Sequence, residues 1–346
     1  MDTKKDIRAL NKEELRVFFI ENGDKSFRGN QVYEWLWSKN AHTFEDMTNI
    51  SKETRQMLND NFVINHIEVD NIQRSSDGTV KNAVRLHDGL IVESVLIPTE
   101  SRTTACVSSQ VGCSLDCSFC ATARLKKMRN LNPDEIYDQV AAINKESLLY
   151  YNHKLSNIVF MGMGEPLMNY NNVLKAIEKI TSEEGLGMSP KRITVSTSGI
   201  PKMIKKLAND EVKFNLAVSL HSAIDEIRSR IMPFSKAFPL EDLKESLEYW
   251  YSKTGSRVSY EYVIWEGIND NRESINALVK FCKHVPCKVN LIEYNPIDDG
   301  EFQQAKSQAI DDYIGILEMN DIIVNVRRSR GKDIDAACGQ LANKKS

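Results

Sequence analysis

From residue 103 onward, short apolar runs rich in β-branched residues alternate with amphipathic stretches, and this alternation limits the fold more than any other feature. The runs are TTACVSS (103–109), NIVFMGM (157–163), ITVSTS (193–198), FNLAVSL (214–220), VSYEYVI (258–264) and KVNLIEY (288–294). Helical stretches separate most of them, among them NPDEIYDQVAAINKE (132–146), NYNNVLKAIEKITSE (169–183) and LEDLKESLEYWYSK (240–253). Six such units in series predict an α/β fold: a parallel sheet curled into a partial (β/α)6 barrel. A seventh apolar run, DIIVNVRRSR (321–330), follows a last helix. In folds of this kind chemistry gathers at the C-terminal ends of the strands, so each candidate site residue is expected there.

Two shorter zones come first. Residues 1–62 predict a small helical domain: QVYEWLWSKN sets Val32, Trp35, Leu36 and Trp37 at helical spacing, and SKETRQML opens with a Ser-x-x-Thr start. Residues 63–102 predict a small β linker unit, with Asp-Gly turns at 77–78 and 88–89 between alternating runs. The barrel and a C-terminal extension take 103–346.

The chain has 346 residues, 41% hydrophobic and 27% charged, the profile of a folded globular protein. Its net charge of −3 means that any contact with phosphates must use local patches. No apolar h-region and no run approaching 18 apolar residues is present, so neither a signal peptide nor a membrane span is expected. Seven cysteines are odd and sparse for this length, which argues against a disulfide scaffold and for the cytoplasm.

Three of the seven stand in CSLDCSFC, as Cys113, Cys117 and Cys120, just after the first barrel strand. Three close thiolates suit an iron–sulfur cluster; zinc completed by a remote Cys or His, or cysteines placed there incidentally, are the alternatives. Structural zinc draws its ligands as two separated pairs, and no second CxxC exists. CxxxCxxC in this place is similar to the signature of the radical S-adenosylmethionine (SAM) superfamily. That resemblance implies a [4Fe-4S] cluster on three cysteines, with SAM on the fourth iron. At the other strand ends, Gly162 and Gly164 in MGMGEP allow close backbone approach to a ligand, and Glu165 can accept from the SAM ammonium. Ser196, then Ser219, Leu220 and His221, then Asn295 complete the candidate SAM pocket. Each alone reads as a cap or turn residue, and His221 equally as a packed histidine.

CVSSQVGC, CxxxCxxC, MGMGEP, STSG, SLH, YNP and DIDAACGQL occur in this order. The set resembles the dual-specificity RNA methyltransferase family that methylates C2 of adenosine in 23S ribosomal RNA and in transfer RNA, there 3′ of the anticodon. The likeness covers almost the whole chain, including FRGNQVYEWLW and FEDMTNIS. It implies that Cys338 carries a methyl group, that Cys106 releases the product from a covalent protein–RNA adduct, and that the two end as a disulfide. It further implies Glu93 as the base, two SAM per turnover, a flavodoxin-type electron donor, an external thiol reductant, RNA as partner and a monomer.

The residues give partial support of their own. On a strand over 91–97, Glu93 shares a face with Ile91, Val95 and Ile97, where desolvation would raise its pKa; an edge-strand charge facing solvent is the alternative. Two basic runs, RLKKMR (124–129) and RRSRGK (327–332), flank the proposed site and would supply phosphate contacts, and Arg330 would raise the positive potential near Cys338. The stretch ATARLKKMRNL lacks the glycines many family members carry. The rivals are a C8-methylating antibiotic-resistance relative and a non-enzymatic RNA-binding protein with zinc. GEP at 164–166 and CVSSQVGC favour the C2 branch.

Overall fold

The structure is a computed structural model and describes residues 4–297 and 301–343. The outermost residues of the expected spans 1–62 and 103–346 lie outside it. The N-terminal part holds a two-stranded parallel pairing of β1 (Lys5–Asp6) with β2 (Phe62–Val63) around α1 (Lys12–Glu21), α2 (Phe27–Trp37) and α3 (Lys52–Asn61). The expected start of α3 is realised: the Ser51 side chain accepts from the Thr54 amide and satisfies one orphan donor of the first turn. Val32, Leu36 and Trp37 are buried, as their spacing required.

One sheet organises the rest. Its strands are β3 (Glu68–Arg74), β4 (Val80–Arg85), β5 (Ile91–Pro98) and β6 (Thr103–Cys106), then β9 (Asn157–Phe160), β10 (Ile193–Thr197), β11 (Asn215–Ser219), β12 (Val258–Val263), β13 (Cys287–Ile292) and β14 (Ile323–Arg327). The order is β14-β13-β12-β11-β10-β9-β6-β5-β4-β3. Neighbours from β14 to β6 run parallel, and β5, β4 and β3 run antiparallel. β14 therefore adds a seventh parallel strand to the six units expected. The strands of 63–102 prolong this same sheet. A separate ribbon, β7 (Gln110–Val111) with β8 (Arg129–Asn130), brackets the cysteine loop. The crossovers are α4 (Pro133–Tyr151), α5 (Tyr170–Thr181), α6 (Pro201–Asn209), α7 (Asp225–Ile231) with α8 (Leu240–Thr254), α9 (Arg272–Cys282) and α10 (Ser307–Met319). Parallel strands are covered on both faces, and every residue of β12 is accordingly buried.

A buried charge cluster joins the N-terminal helices to α4. Arg8 Nη1 donates to both Asp138 oxygens at 2.8 Å, and Nη2 donates to Asp134 at 3.2 Å and to the Asn65 carbonyl. Burial pushes the Asp134 carboxyl up to about 7 against the pull of Arg8. A folded-state value above the unfolded value near 3.9 favours the protonated acid, so this contribution is complete below about pH 4 and is lost as pH rises through 7. Thermal unfolding of the protein is expected to show stability falling by about 2–4 kcal/mol over that window, and Asp134→Asn to flatten the dependence. Parallel curves for the two proteins would rule this out.

Candidate active site

A cavity of about 230 Å³ opens at the C-terminal ends of the parallel strands. β6 contributes Cys106; the turn after β9 contributes Gly162, Gly164 and Glu165; β10 and β11 contribute Ser196, Ser219 and His221. β13 leads to Asn295, and the C-terminal tail brings Cys338. Cys113, Cys117 and Cys120 lie on the same wall. Two residues nominated by the sequence are absent from it. The Leu220 side chain, just past the end of β11, is fully buried in the main hydrophobic core, while the flanking Ser219 and His221 line the cavity. Glu93 is also buried, beneath the tail.

The cysteine loop is held from three sides. The Ser118 amide donates to the Ile231 carbonyl at 3.0 Å, the Phe234 amide to Asp116 Oδ1 at 2.9 Å, and the Ala121 amide to the Gly339 carbonyl at 2.7 Å. The glycine-free stretch that follows forms a short 3-10 turn, Ala121–Arg124, and the Thr122 hydroxyl donates to the Leu341 carbonyl at 2.6 Å. Loop and tail thus brace each other.

Burial pushes the Cys113 thiol up to about 11, and burial followed by the neighbouring Cys120 and Cys113 sulfurs pushes Cys117 up further. Such a trio ionises only on a strongly cationic group. Among the described residues no three Cys, His, Asp or Glu converge as they would on a single ion. A four-iron cube does not ask for that, since it takes each thiolate on a different corner. The residues fit an iron–sulfur cluster on Cys113, Cys117 and Cys120.

The remaining wall suits an amino-acid and nucleoside ligand. Glu165 accepts from the Leu167 amide at 3.0 Å, the Thr197 hydroxyl at 2.7 Å and the Ser198 amide at 2.8 Å; burial raises its pKa against these bonds. The Asn295 Oδ1 atom is buried and has no hydrogen-bond partner among the described residues, an acceptor on the cavity wall. His221 stands at φ 57° with Nδ1 accepting from the Val263 amide at 3.2 Å, which leaves the ring proton on Nε2. Burial, then Arg228, lowers its pKa to about 3, so it stays neutral. The crowding at the glycines comes from the chain itself. A Cβ at Gly164 would lie 2.4 Å from Gln110, and one at Gly162 would lie 2.7 Å from Ser108 Oγ, so glycine here lets the β9 turn pack on loop 107–110.

Cys338 lines the cavity, and its carbonyl accepts from Asn295 Nδ2 at 3.3 Å. The β3–β4 turn pins the tail. Ser75 Oγ donates to Asp333 at 2.5 Å and the Gly331 amide to Asp77 at 2.9 Å. Further on, the Ala342 and Asn343 amides donate to Glu93 Oε2 at 2.8 and 3.1 Å, and Lys81 sits 3.3 Å from Oε1. Burial pushes the Cys106 thiol up to about 12, raised further by Cys338 and opposed by Arg327. Cys338 is likewise raised by burial and lowered by Arg327.

The cation beside both sulfurs is therefore Arg327, where sequence reasoning had pointed to Arg330. Arg330 instead donates to the Asp77 carbonyl at 3.2 Å. Also missed was Glu261, which pairs with Arg327 at 2.9 Å. Its signal was legible: a carboxylate in the middle of VSYEYV, an otherwise largely apolar strand run.

Two family models match the chain: "Ribosomal RNA large subunit methyltransferase N-terminal domain" over residues 5–64 and "Radical SAM superfamily" over residues 107–281. A solved radical SAM methyltransferase from Sphaerobacter thermophilus is 35% identical with a TM-score of 0.92, covering 98% of this chain and 100% of that one. Fold and site together define a radical SAM methyltransferase, a class whose members carry a 4Fe-4S cluster and use SAM. Among curated proteins, the "Probable dual-specificity RNA methyltransferase RlmN" of Flavobacterium johnsoniae is 78% identical over 99% of this chain and 98% of its own length. That of Cytophaga hutchinsonii is 54% identical over 99% of this chain and 93% of its own length. The chain belongs to the RlmN family of dual-specificity RNA methyltransferases.

Proposed function

We propose that this protein methylates C2 of a specific adenosine in 23S ribosomal RNA and in transfer RNAs, there 3′ of the anticodon, through a covalent protein–RNA adduct. The observation that carries the reading is that one cavity holds Cys113, Cys117 and Cys120 together with both Cys106 and Cys338. C2 of adenine is an electron-poor carbon and no nucleophile, so a protein-borne methyl carrier is needed. The Cys338 thiolate takes a methyl group from a first SAM by displacement. Cluster and second SAM, when bound on Cys113, Cys117, Cys120 and the wall from Gly164 to Asn295, would supply an electron and a radical able to take hydrogen from that methyl group. The methylene carbon on Cys338 then bonds to C2.

Glu93 takes the C2 proton, and the cluster, when bound and having given one electron to the second SAM, would take one electron back from the adduct. Because residues 342 and 343 occupy Glu93 Oε2, they must lift away first. Cys106 attacks the Cys338 sulfur: an S–S bond forms, the C–S bond breaks, and its electron pair takes up a proton to complete the methyl group. An external thiol returns two electrons to the Cys106–Cys338 disulfide, and a flavodoxin-type donor would reduce the cluster once bound.

Arg328 and Arg330 on the cavity rim, with Arg124 and Lys126 after the cysteine loop, supply the phosphate contacts. The target base must leave its stack to enter. The division 1–62, 63–102 and 103–346, a monomeric state and a cytoplasmic site of action belong to the same reading; no described helix is long and apolar enough to cross a membrane. Mass spectrometry of nuclease-digested RNA after turnover is expected to show 2-methyladenosine. 8-Methyladenosine would move the protein to the other branch, and no product at all would overturn the reading.

A further inference from the structure

One polar row runs across three adjacent strands and reaches the cavity at Glu261. Glu261, Asn290 and Asn325 are register partners on β12, β13 and β14. Asn325 Nδ2 donates to Asn290 Oδ1 at 3.1 Å, and Asn290 Nδ2 donates to Glu261 Oε1 at 2.7 Å. The second carboxylate oxygen holds Arg327 Nη1 at 2.9 Å. The same Nη1 lies 3.6 Å from Met161 Sδ, and the Met161 backbone hydrogen-bonds the Cys106 thiol. The guanidinium thus spans from β14 to the β6–β9 side of the mouth. Apolar residues often replace an ion pair in such a wall without loss of stability, so this one asks for another reason.

The titratable groups facing Cys106 are Arg327 from β14 and Cys338 from the tail. The flanking strands place Val95 and Val159 at its register positions. Glu93, two residues from Val95, is tied to Lys81 and the tail amides.

We propose that Arg327 is a positioning residue for product release: aimed by Glu261 and Asn290, its guanidinium presents a fixed positive charge to the Cys106 sulfur and makes that sulfur the attacking group on the Cys338 adduct. This rests on the cysteine chemistry proposed above. Cys106 loses its proton to water, and its lone pair forms the S–S bond as the C–S bond to the product breaks.

The test is the pH dependence of Cys106 alkylation by iodoacetamide in the iron-loaded full-length protein, followed by peptide mass spectrometry. Arg327→Gln is expected to slow alkylation about tenfold at fixed pH below the midpoint, a shift of about one unit upward. Arg327→Lys, which keeps the positive charge, is expected to restore most of the rate. A residue with only a structural role would leave the Arg327→Gln profile on the parent's, or would lose as much in Arg327→Lys as in Arg327→Gln, and either result overturns the proposal. Should Arg327→Gln not fold, Arg327→Met combined with Glu261→Gln, which leaves no buried charge unpaired, replaces it: an unchanged or lowered profile is fatal. With RNA present, Arg327→Gln is expected to retain adduct that clears faster as pH rises, while Cys106→Ala retains adduct at every pH. If Cys106→Ala traps none, the cysteine chemistry fails, and the alkylation profiles still judge Arg327 separately.

Discussion

Cys106→Ala protein turned over with its RNA is expected to stay covalently joined to it through Cys338. The adduct should survive denaturing electrophoresis and shrink on nuclease treatment. Cys106 is the last residue of β6, hydrogen-bonded in register between Val95 and Val159, so its sulfur is fixed at the cavity wall. Removing one sulfur from this buried position costs about 1 kcal/mol, against total stabilities of about 5–15 kcal/mol, so the fold persists. What is lost is the only described thiol, other than the three of the cysteine loop, that shares the cavity with Cys338. Adding Cys338→Ala to the same chain should abolish the adduct. Free methylated RNA released at the normal rate by Cys106→Ala would refute the assigned role.

The second large effect is on iron. Anaerobically reconstituted protein is expected to bind about four irons per chain with broad visible absorbance, and Cys117→Ala to lose both together with all turnover. Cys117 is the middle thiol of the three, packed beside Ile231, Met232, Val263 and Trp265. Its replacement is expected to open one corner of the cube to solvent while the loop keeps its bonds to Ile231, Phe234 and Gly339. Cys282→Ala and Cys287→Ala are the matched controls. Both sulfurs lie away from the cavity, with Cys287 Sγ 3.5 Å from the Cys282 carbonyl, and both variants should keep their iron. Full iron in Cys117→Ala, or a zinc stoichiometry of about one in the parent protein, would end the assignment.

How much of this was readable in advance depended on how local the information was. The cysteine trio, the glycines of MGMGEP and the capped start at Ser51 are short-range features, and each strand run carried its own apolar signature. Those readings reached the right strand ends. The three-residue motif SLH does not say which of its side chains face the lumen: those of Ser219 and His221 do, and that of Leu220 lies in the core. Glu93 was placed on a buried strand correctly, but nothing near it in the chain announces that residues 342 and 343 will cap it. The same holds for the charge beside the thiols. Arg327 and Arg330 look alike in RRSRGK, and only the alternation of β14 turns the first toward Glu261 and lets the second leave toward Asp77.

The sequence by itself determined the class of fold, the thiols that can grip a metal cluster and the family of chemistry, because periodicity and ligand spacing are written within a few residues. The tertiary structure alone decided which of those groups share one space. Strand register sets Glu261, Asn290 and Asn325 in a row, and the β3–β4 turn pins a tail more than 200 residues away so that Cys338 meets Cys106. Such juxtapositions come from packing between distant segments, a sum over the whole core that no local stretch contains.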